Sequence, residues 1–159
     1  MNPSRKLLAL SVLMLATFSS IGAELSRFDE VRSQYKAYGD PTRVSYLYNR
    51  CAALQLNVAA LMQRKGQKQG AQDFENLAQH YMVLSEANER DIDKKRGVKS
   101  KDTMKTVHRA VAHVSEVYSK RLKDNYAQRR EYIVGDAQLE EELSECNFPD
   151  VFKSKALAR

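Results

Sequence analysis

The sequence predicts an all-α protein, an elongated up-and-down bundle of four to five helices with one disulfide. Apolar residues return every three or four positions along most of the chain, which is the helical period. Short breaks that contain Gly or Pro separate these stretches, and short connections favour antiparallel neighbours. The 159-residue chain contains two cysteines, Cys51 and Cys146, which suit a single bridge.

Residues 1–23 have the three-part layout of a secretory signal peptide. Arg5 and Lys6 precede an apolar run from Leu7 to Phe18, and small residues lead to Ala23. The apolar run has about twelve residues, whereas a membrane-spanning helix needs roughly twenty. We expect cleavage after Ala23 and export of a bacterial-type protein to the periplasm or the medium, with no stable membrane insertion afterwards.

The remaining chain is predicted to form one domain, a helical bundle over residues 24–147 followed by a basic C-terminal tail over residues 148–159. Removing Arg5 and Lys6 from the 26 basic residues leaves 24 against 20 acidic residues, so the formal charge falls from +6 to +4. The exported protein is therefore only mildly basic.

Cys51 and Cys146 are expected to form a structural disulfide. An even number of cysteines in an oxidising compartment favours pairing. A bridge that closes so long a loop stabilises a fold by about 4 to 5 kcal/mol in the chain-entropy account. Cys51 lies on an apolar helical stripe, unlike the exposed, low-pKa thiols of redox enzymes, so a catalytic role is disfavoured.

The first two predicted helices have recognisable ends. Ser26, with Asp29 three residues later, is a candidate N-cap for helix one, and Gly39 ends it. Asp40-Pro41 starts helix two, which continues to Lys65-Gly66. Helix two carries the most regular apolar stripe of the chain: Val44, Leu47, Tyr48, Cys51, Leu54, Val58, Leu61 and Met62.

Helices three and four are predicted to be long. Gly66 and Gly70 bracket a polar turn, after which helix three continues to about Gly97. Ser100 is a candidate cap for helix four, whose apolar seam continues to about Val134. At 1.5 Å per residue such a helix approaches about 50 Å.

A short fifth helix follows the break at Gly135. Asp136 is its candidate N-cap, and it ends at Cys146-Asn147. Glu140, Glu141 and Glu142 are expected to interact favourably with its dipole. If helices two and five are antiparallel, Cys146 comes level with Cys51.

No pattern in the sequence predicts a catalytic residue, a metal site or a cofactor. His108 and His113 are five residues apart, about 140° around a helix, and His80 stands alone, so ordinary polar histidines are favoured. A haem-attachment motif, a Gly-rich phosphate loop and a nucleophile elbow are all missing.

The strongest charge feature is a cluster that we name the basic turn, between helices three and four. It consists of Lys94, Lys95, Arg96, Lys99, Lys101 and Lys105, with Asp102 as the nearest offsetting charge. Such a cluster could bind a phosphate-rich polymer in a salt-dependent way. The simpler interpretation, which we prefer from sequence, is that these cations stabilise the helix end and solvate the turn.

The tyrosines have no pattern that specifies a binding site. Tyr35, Tyr48, Tyr81 and Tyr118 fall on apolar stripes, which predicts packing in the core. Tyr46 and Tyr132 are the expected exposed pair.

Three classes of function are compatible with these features. The leading hypothesis is a non-enzymatic envelope accessory, binding or structural protein with a protein or anionic-polymer partner. The second is an electrostatic adaptor whose basic turn binds an anionic envelope polymer or nucleic acid. The third is a small enzyme or inhibitor whose site forms only in the fold.

Overall fold

Five helices make up almost all of the described chain, which covers residues 25–99 and 102–147 in a computed structural model. No strand occurs within these ranges, so the all-α prediction is confirmed there. The helices are α1 (Phe28–Tyr38), α2 (Thr42–Arg64), α3 (Lys68–Lys95), α4 (Thr103–Arg129) and α5 (Ala137–Cys146). The predicted leader, the predicted tail, Ser100 and Lys101 lie outside the described residues.

Hydrogen bonds at opposite ends of α2 and α3 show that these helices are antiparallel. Asn88 of α3 donates to Ser45 Oγ near the start of α2 (2.7 Å), whereas Gln63 near the end of α2 donates to Glu75 of α3. At 28 residues, α3 is about 42 Å long. The long, alternating helices confirm the elongated up-and-down arrangement.

The short helix α5 is antiparallel to α4 and parallel to α1. Arg121 and Tyr118 of α4 contact Gln138 and Glu142 of α5, in the order that antiparallel helices require. The same face of α5 pairs Glu141 with Arg27, just before α1, and Glu145 with Arg32 inside α1. Both terminal helices therefore cover the same side of the bundle.

Helix α2 is the centre of the bundle and packs against the other four helices. The predicted stripe is buried from Leu47 to Val58, and its outer members Val44, Leu61 and Met62 are half-buried against the core. Gly70 is not in the turn that we predicted but in the first turns of α3. A Cβ there would lie 2.9 Å from Met62 Sδ, so glycine permits the close approach of α3 to α2.

Several helix ends match their predicted chemistry. Gly39 adopts φ +65°, and its N–H donates to Tyr35 O (2.7 Å). Asp40 Oδ1 accepts from Thr42 N (3.0 Å) at the start of α2, and Asp136 caps α5 by accepting from Leu139 N (3.2 Å).

The predicted Ser26 cap is wrong. Helix α1 begins after Arg27 without a side-chain cap. The carbonyl oxygen of Ser26 instead accepts a hydrogen bond from the buried Arg50 guanidinium. The predicted Ser100 cap lies outside the described residues, and Asp102 holds the N-cap position of α4 without a side-chain cap bond.

Helix α4 ends at Arg129, earlier than the predicted Val134, and is about 40 Å long. Arg130 takes the left-handed conformation with φ +61° and turns the chain out of the helix. The apolar residues Tyr132 and Ile133, which extended the sequence pattern, instead pack beside α2 against the core. Asn125 holds the returning loop by donating to Val134 O (3.2 Å).

The predicted disulfide is present. Cys51 and Cys146 are bonded, have a Cα–Cα distance of 5.2 Å and have no exposed surface. The bridge fixes the end of α5 against the middle of α2. Among the described residues, no helix combines the length and the apolar character that a bilayer crossing requires.

Tyr81→Phe tests how α3 supports the end of α5. The buried Tyr81 hydroxyl donates to Cys146 O (2.7 Å), an oxygen that also accepts from Gln55. Because one donor remains, we expect the free energy of unfolding to fall by about 1 kcal/mol in urea titrations. Tyr38→Phe, at a side chain that is 79% exposed, is the control and should be neutral. An equal effect of the two substitutions would contradict the role of this hydrogen bond.

Candidate functional site

The basic turn joins the end of α3 to the start of α4. Lys94 and Lys95 lie in the last turn of α3, Arg96 and Lys99 in the connection, and Lys105 in the first turn of α4. All five side chains are exposed. The sixth predicted member, Lys101, lies outside the described residues.

Backbone hydrogen bonds close this connection tightly. Arg96 N donates to Ile92 O (3.0 Å), and Val98 N returns to Asp93 O (2.9 Å). Gly97 between them has φ +68°, a conformation that glycine adopts without strain. The turn therefore keeps the cations at the end of α3 close together in space as well as in sequence.

The cations of the basic turn have no close ion-pair partner among the described residues. None of its five described cations forms an ion pair with another described residue. Elsewhere most arginines are paired, as Arg32 is with Glu145 (2.8 Å) and Arg90 with Glu86 (2.7 Å). The cations of the turn therefore have no intramolecular ion pair to give up when an anion approaches.

The positive field of the turn reaches the start of α2. Hydrogen bonds from Thr42 lower the pKa of the Asp40 carboxyl below its ordinary value, and the charges of Arg43 and Arg96 act in the same direction. Asp40 is used by the helix start, because it accepts from both the amide and the hydroxyl of Thr42. Its carboxylate stays negatively charged and offsets part of the charge of Arg96.

A second polar site, which we name the buried polar cluster, lies inside the bundle and consists of Arg50, Tyr118 and Glu142. Arg50 donates through Nη2 to Glu142 Oε1 and through Nε to the Tyr118 hydroxyl (3.3 Å). The Tyr118 hydroxyl donates in turn to Glu142 Oε2. Gln138 adds a donor to Glu142 Oε1 (2.8 Å). The cluster therefore joins α2, α4 and α5.

The Arg50 guanidinium is also enclosed by aromatic rings. Its Cζ lies 5.3 Å from the centroid of the Phe28 ring and 5.6 Å from that of Tyr46. The Arg50 side chain has no exposed surface, and that of Glu142 is 1% exposed. The cluster is closed on all sides by the protein itself.

The Tyr118 hydroxyl and the Arg50 guanidinium keep their protons near neutral pH, because the pKa of each is raised. Burial and the Glu142 carboxylate raise the pKa of the Tyr118 hydroxyl well above its ordinary value, so that it stays a hydrogen-bond donor. Burial opposes the charge of Arg50, but Tyr118 and Glu142 outweigh it and raise the pKa of Arg50. This arrangement suits a structural ion pair rather than a group that exchanges protons with a substrate.

This cluster was not predicted from the sequence. Glu142 was predicted to act on the α5 dipole, but it is the partner of a buried arginine in α2. A signal was present, because Glu142 follows Leu139 by three residues and precedes Cys146 by four, on the buried face of α5. A charged residue on such a face needs a buried partner.

The histidines and the remaining tyrosines do not assemble a further site. His80, His108 and His113 are exposed. In the part of the chain that the structure describes, no three His, Cys, Asp or Glu side chains are grouped to hold a metal ion.

The expected exposure of Tyr46 and Tyr132 is wrong. Both are half-buried against the core, because Tyr46 lies near the Arg50 guanidinium and Tyr132 stacks on Tyr126 with ring centroids 4.4 Å apart. The exposed tyrosines of the described chain are Tyr38 and Tyr126.

A cavity of about 400 Å³ lies where α5 begins, and Arg27, Arg121 and Arg129 line it. Acidic side chains of the protein neutralise most of the positive charge around this cavity. Arg121 makes two bonds to Asp136 (2.7 and 2.8 Å), and Arg27 lies 3.4 Å from Glu141. Although burial raises the pKa of Asp136, the bonds from Arg121 and the Leu139 amide outweigh it and lower that pKa overall. Two of the three arginines that line the cavity therefore already have an acidic partner within the protein.

Comparisons with known proteins provide no family for this chain. It matches no protein-family model, no curated protein and no solved structure. Its function is therefore inferred from its own charges and contacts.

Glu142→Ala tests the buried polar cluster. The substitution leaves the Arg50 charge buried without its partner, and we expect a loss of about 3 to 5 kcal/mol in the free energy of unfolding. The double variant Arg50→Met/Glu142→Leu should lose less, because no unpaired charge remains. Urea titrations at neutral pH with the disulfide intact measure both.

Glu86→Ala is the matched control, since Glu86 pairs with Arg90 on the surface. This exposed pair should contribute less than about 1 kcal/mol. A double variant as unstable as Glu142→Ala would show that the paired charges are not the source of the effect.

Proposed function

We propose that this protein is a non-enzymatic binding protein of the extracytoplasmic space, and that its basic turn binds a phosphate-rich anionic polymer. The proposal rests on two properties of the described cations of the turn, which are their exposure and their lack of ion pairs with other described residues. Lys94, Lys95, Arg96, Lys99 and Lys105 are exposed and have no ion pair with another described residue.

A polyanion gains more from such a cluster than from scattered surface lysines. Neighbouring cations raise the local positive potential, and each phosphate contact releases counter-ions condensed on the polymer. The binding is then strong at low salt and falls steeply as salt is raised. Contacts with phosphates carry no sequence information, so the polymer is recognised by its charge density.

The interior of the bundle supports a binding role rather than a catalytic one. Arg50 and Tyr118, two buried groups whose pKa is raised, form hydrogen bonds with one another and with Glu142. None of the three is exposed. A substrate would have to displace these contacts to reach them.

Two features support the extracytoplasmic location. The leader pattern of residues 1–23 is that of an export signal. The Cys51–Cys146 bond is of a kind that persists in oxidising compartments and is rare where thiols are kept reduced.

Retention on immobilised polyphosphate tests the binding proposal. We expect the protein to bind at low salt, and the variant Lys94→Gln/Lys95→Gln/Arg96→Gln to bind at least ten-fold more weakly. Losing about three phosphate contacts should also lower the slope of log affinity against log salt by about 2 to 3.

The matched control is Lys36→Gln/Lys68→Gln/Lys123→Gln, which removes the same charge at exposed positions elsewhere. Its affinity should remain close to that of the unmodified protein. Equal losses in the two variants would mean that net charge alone governs binding, and no retention of the unmodified protein would overturn the proposal.

Expression of the whole chain in a bacterium tests the export proposal. Intact mass should correspond to a chain that begins at Glu24, and unfolding without reductant should reveal no reactive thiol. A version without residues 1–23, kept in the cytoplasm, should show two reactive thiols. Recovery of the full-length chain from the cytoplasm with both cysteines reduced would contradict export.

A further inference from the structure

We propose that α5 is an oxidation-dependent latch: the Cys51–Cys146 bond holds α5 and the adjoining α1 on the bundle, and reduction releases both while α2, α3 and α4 stay folded. The inference does not depend on what the basic turn binds. Helix α5 buries few apolar side chains, and the disulfide is the main attachment that holds it on the bundle.

The apolar attachment of α5 is small. Of its ten residues, Leu139 and Cys146 are the buried hydrophobic ones, and Leu143 is half-buried. The remaining buried residue is Glu142, whose charge must be stripped of water when the helix docks. Since desolvation offsets much of the attraction within a buried ion pair, the Arg50–Glu142 contact contributes little net docking energy.

The disulfide supplies what the apolar contacts do not. It ties the last residue of α5 to the middle of α2, across a sequence separation of 95 residues. Without it, α5 is joined to the bundle through the 130–136 loop and its polar contacts. Undocking would then return Glu142 to water.

Helix α1 is coupled to α5 through the same side of the bundle. Arg32 pairs with Glu145 (2.8 Å), and Gln138 donates to Leu25 O (3.2 Å) just before α1. Phe28 of α1 lies against the Arg50 guanidinium that Glu142 neutralises. Loss of α5 therefore removes partners from α1 and leaves a charge without its counter-ion beneath it.

The other three helices supply most of the single buried core. It includes Leu47, Tyr48 and Leu54 of α2, Tyr81 and Met82 of α3, and Val107, Val111, Val114 and Leu122 of α4. Most of the contacts between helices are likewise found among α2, α3 and α4. Such a core can persist when the terminal helices leave.

The release step is ordinary thiol–disulfide exchange with a dithiol reductant. Because both cysteines are buried, a local opening must first expose the bridge to the reductant. One thiolate of the reductant then attacks a cysteine sulfur, the S–S bond breaks, and the other cysteine departs as a thiolate that takes a proton. The second thiol of the reductant then displaces the mixed disulfide. The protein ends with two thiols, and the reductant ends as its cyclic disulfide after giving up two electrons and two protons.

Hydrogen–deuterium exchange of the mature chain, oxidised and after treatment with a dithiol, tests the latch. Reduction should speed amide exchange at least 100-fold in residues 137–146 and at least ten-fold in residues 28–38. Exchange in the central parts of α3 and α4 should change less than three-fold. The variant Cys51→Ser/Cys146→Ser should reproduce the reduced pattern.

Val111→Ala, with the bridge intact, is the control for destabilisation alone, because Val111 is buried in α4. It should increase exchange in α3 and α4 without a selective effect on α5. A uniform increase in all five helices on reduction, including complete unfolding, would overturn the proposal. Unchanged protection of α5 after both cysteines are shown to be reduced would overturn it equally.

Discussion

Arg50 carries a positive charge in the interior of the bundle, and the helices around it are arranged to accommodate that charge. Glu142 of α5 supplies the counter-charge, Tyr118 of α4 accepts from the guanidinium, and the backbone before α1 supplies a carbonyl oxygen. An uncompensated ion at this depth would cost several kcal/mol. The positions of α1, α4 and α5 around α2 are therefore coupled to one side chain.

The disulfide acts beside this charge. Cys51 follows Arg50 in α2, and Cys146 lies one helical turn after Glu142 in α5. The covalent bond and the ion pair thus connect the same two helices. Their attachment points are one residue apart in α2 and one helical turn apart in α5. The bond keeps the counter-ion near the arginine, and the ion pair favours one orientation of α5.

Local side-chain chemistry made much of the fold predictable. The stripe of α2, the end of α1 at Gly39 and the Asp136 cap depend on neighbours within a turn or two, which a sequence displays directly. The end of α4 depends on a contact with another helix, since Tyr132 continues the helical period but packs beside α2 instead. Arg130 adopts its left-handed conformation without being a glycine, so no residue type marked the break.

The candidate sites differ in the same way. The basic turn could be predicted because its cations are consecutive or nearly so in the sequence. An exposed charge also needs no partner from a distant part of the chain. The buried polar cluster was missed because Arg50 and Glu142 are 92 residues apart, so the position of Glu142 on the buried face of α5 did not identify its partner. The result is a molecule with a neutralised interior and a concentrated positive charge at one inter-helix connection.

The mutual dependence of Arg50 and Glu142 also limits how this protein can diverge. A lineage that first replaces either residue by a small apolar one passes through an ancestor that has lost a large part of a typical domain's stability margin. Drift at these two positions is therefore expected to proceed by paired exchange, or in backgrounds already stabilised elsewhere, so that descendants keep both charges or neither.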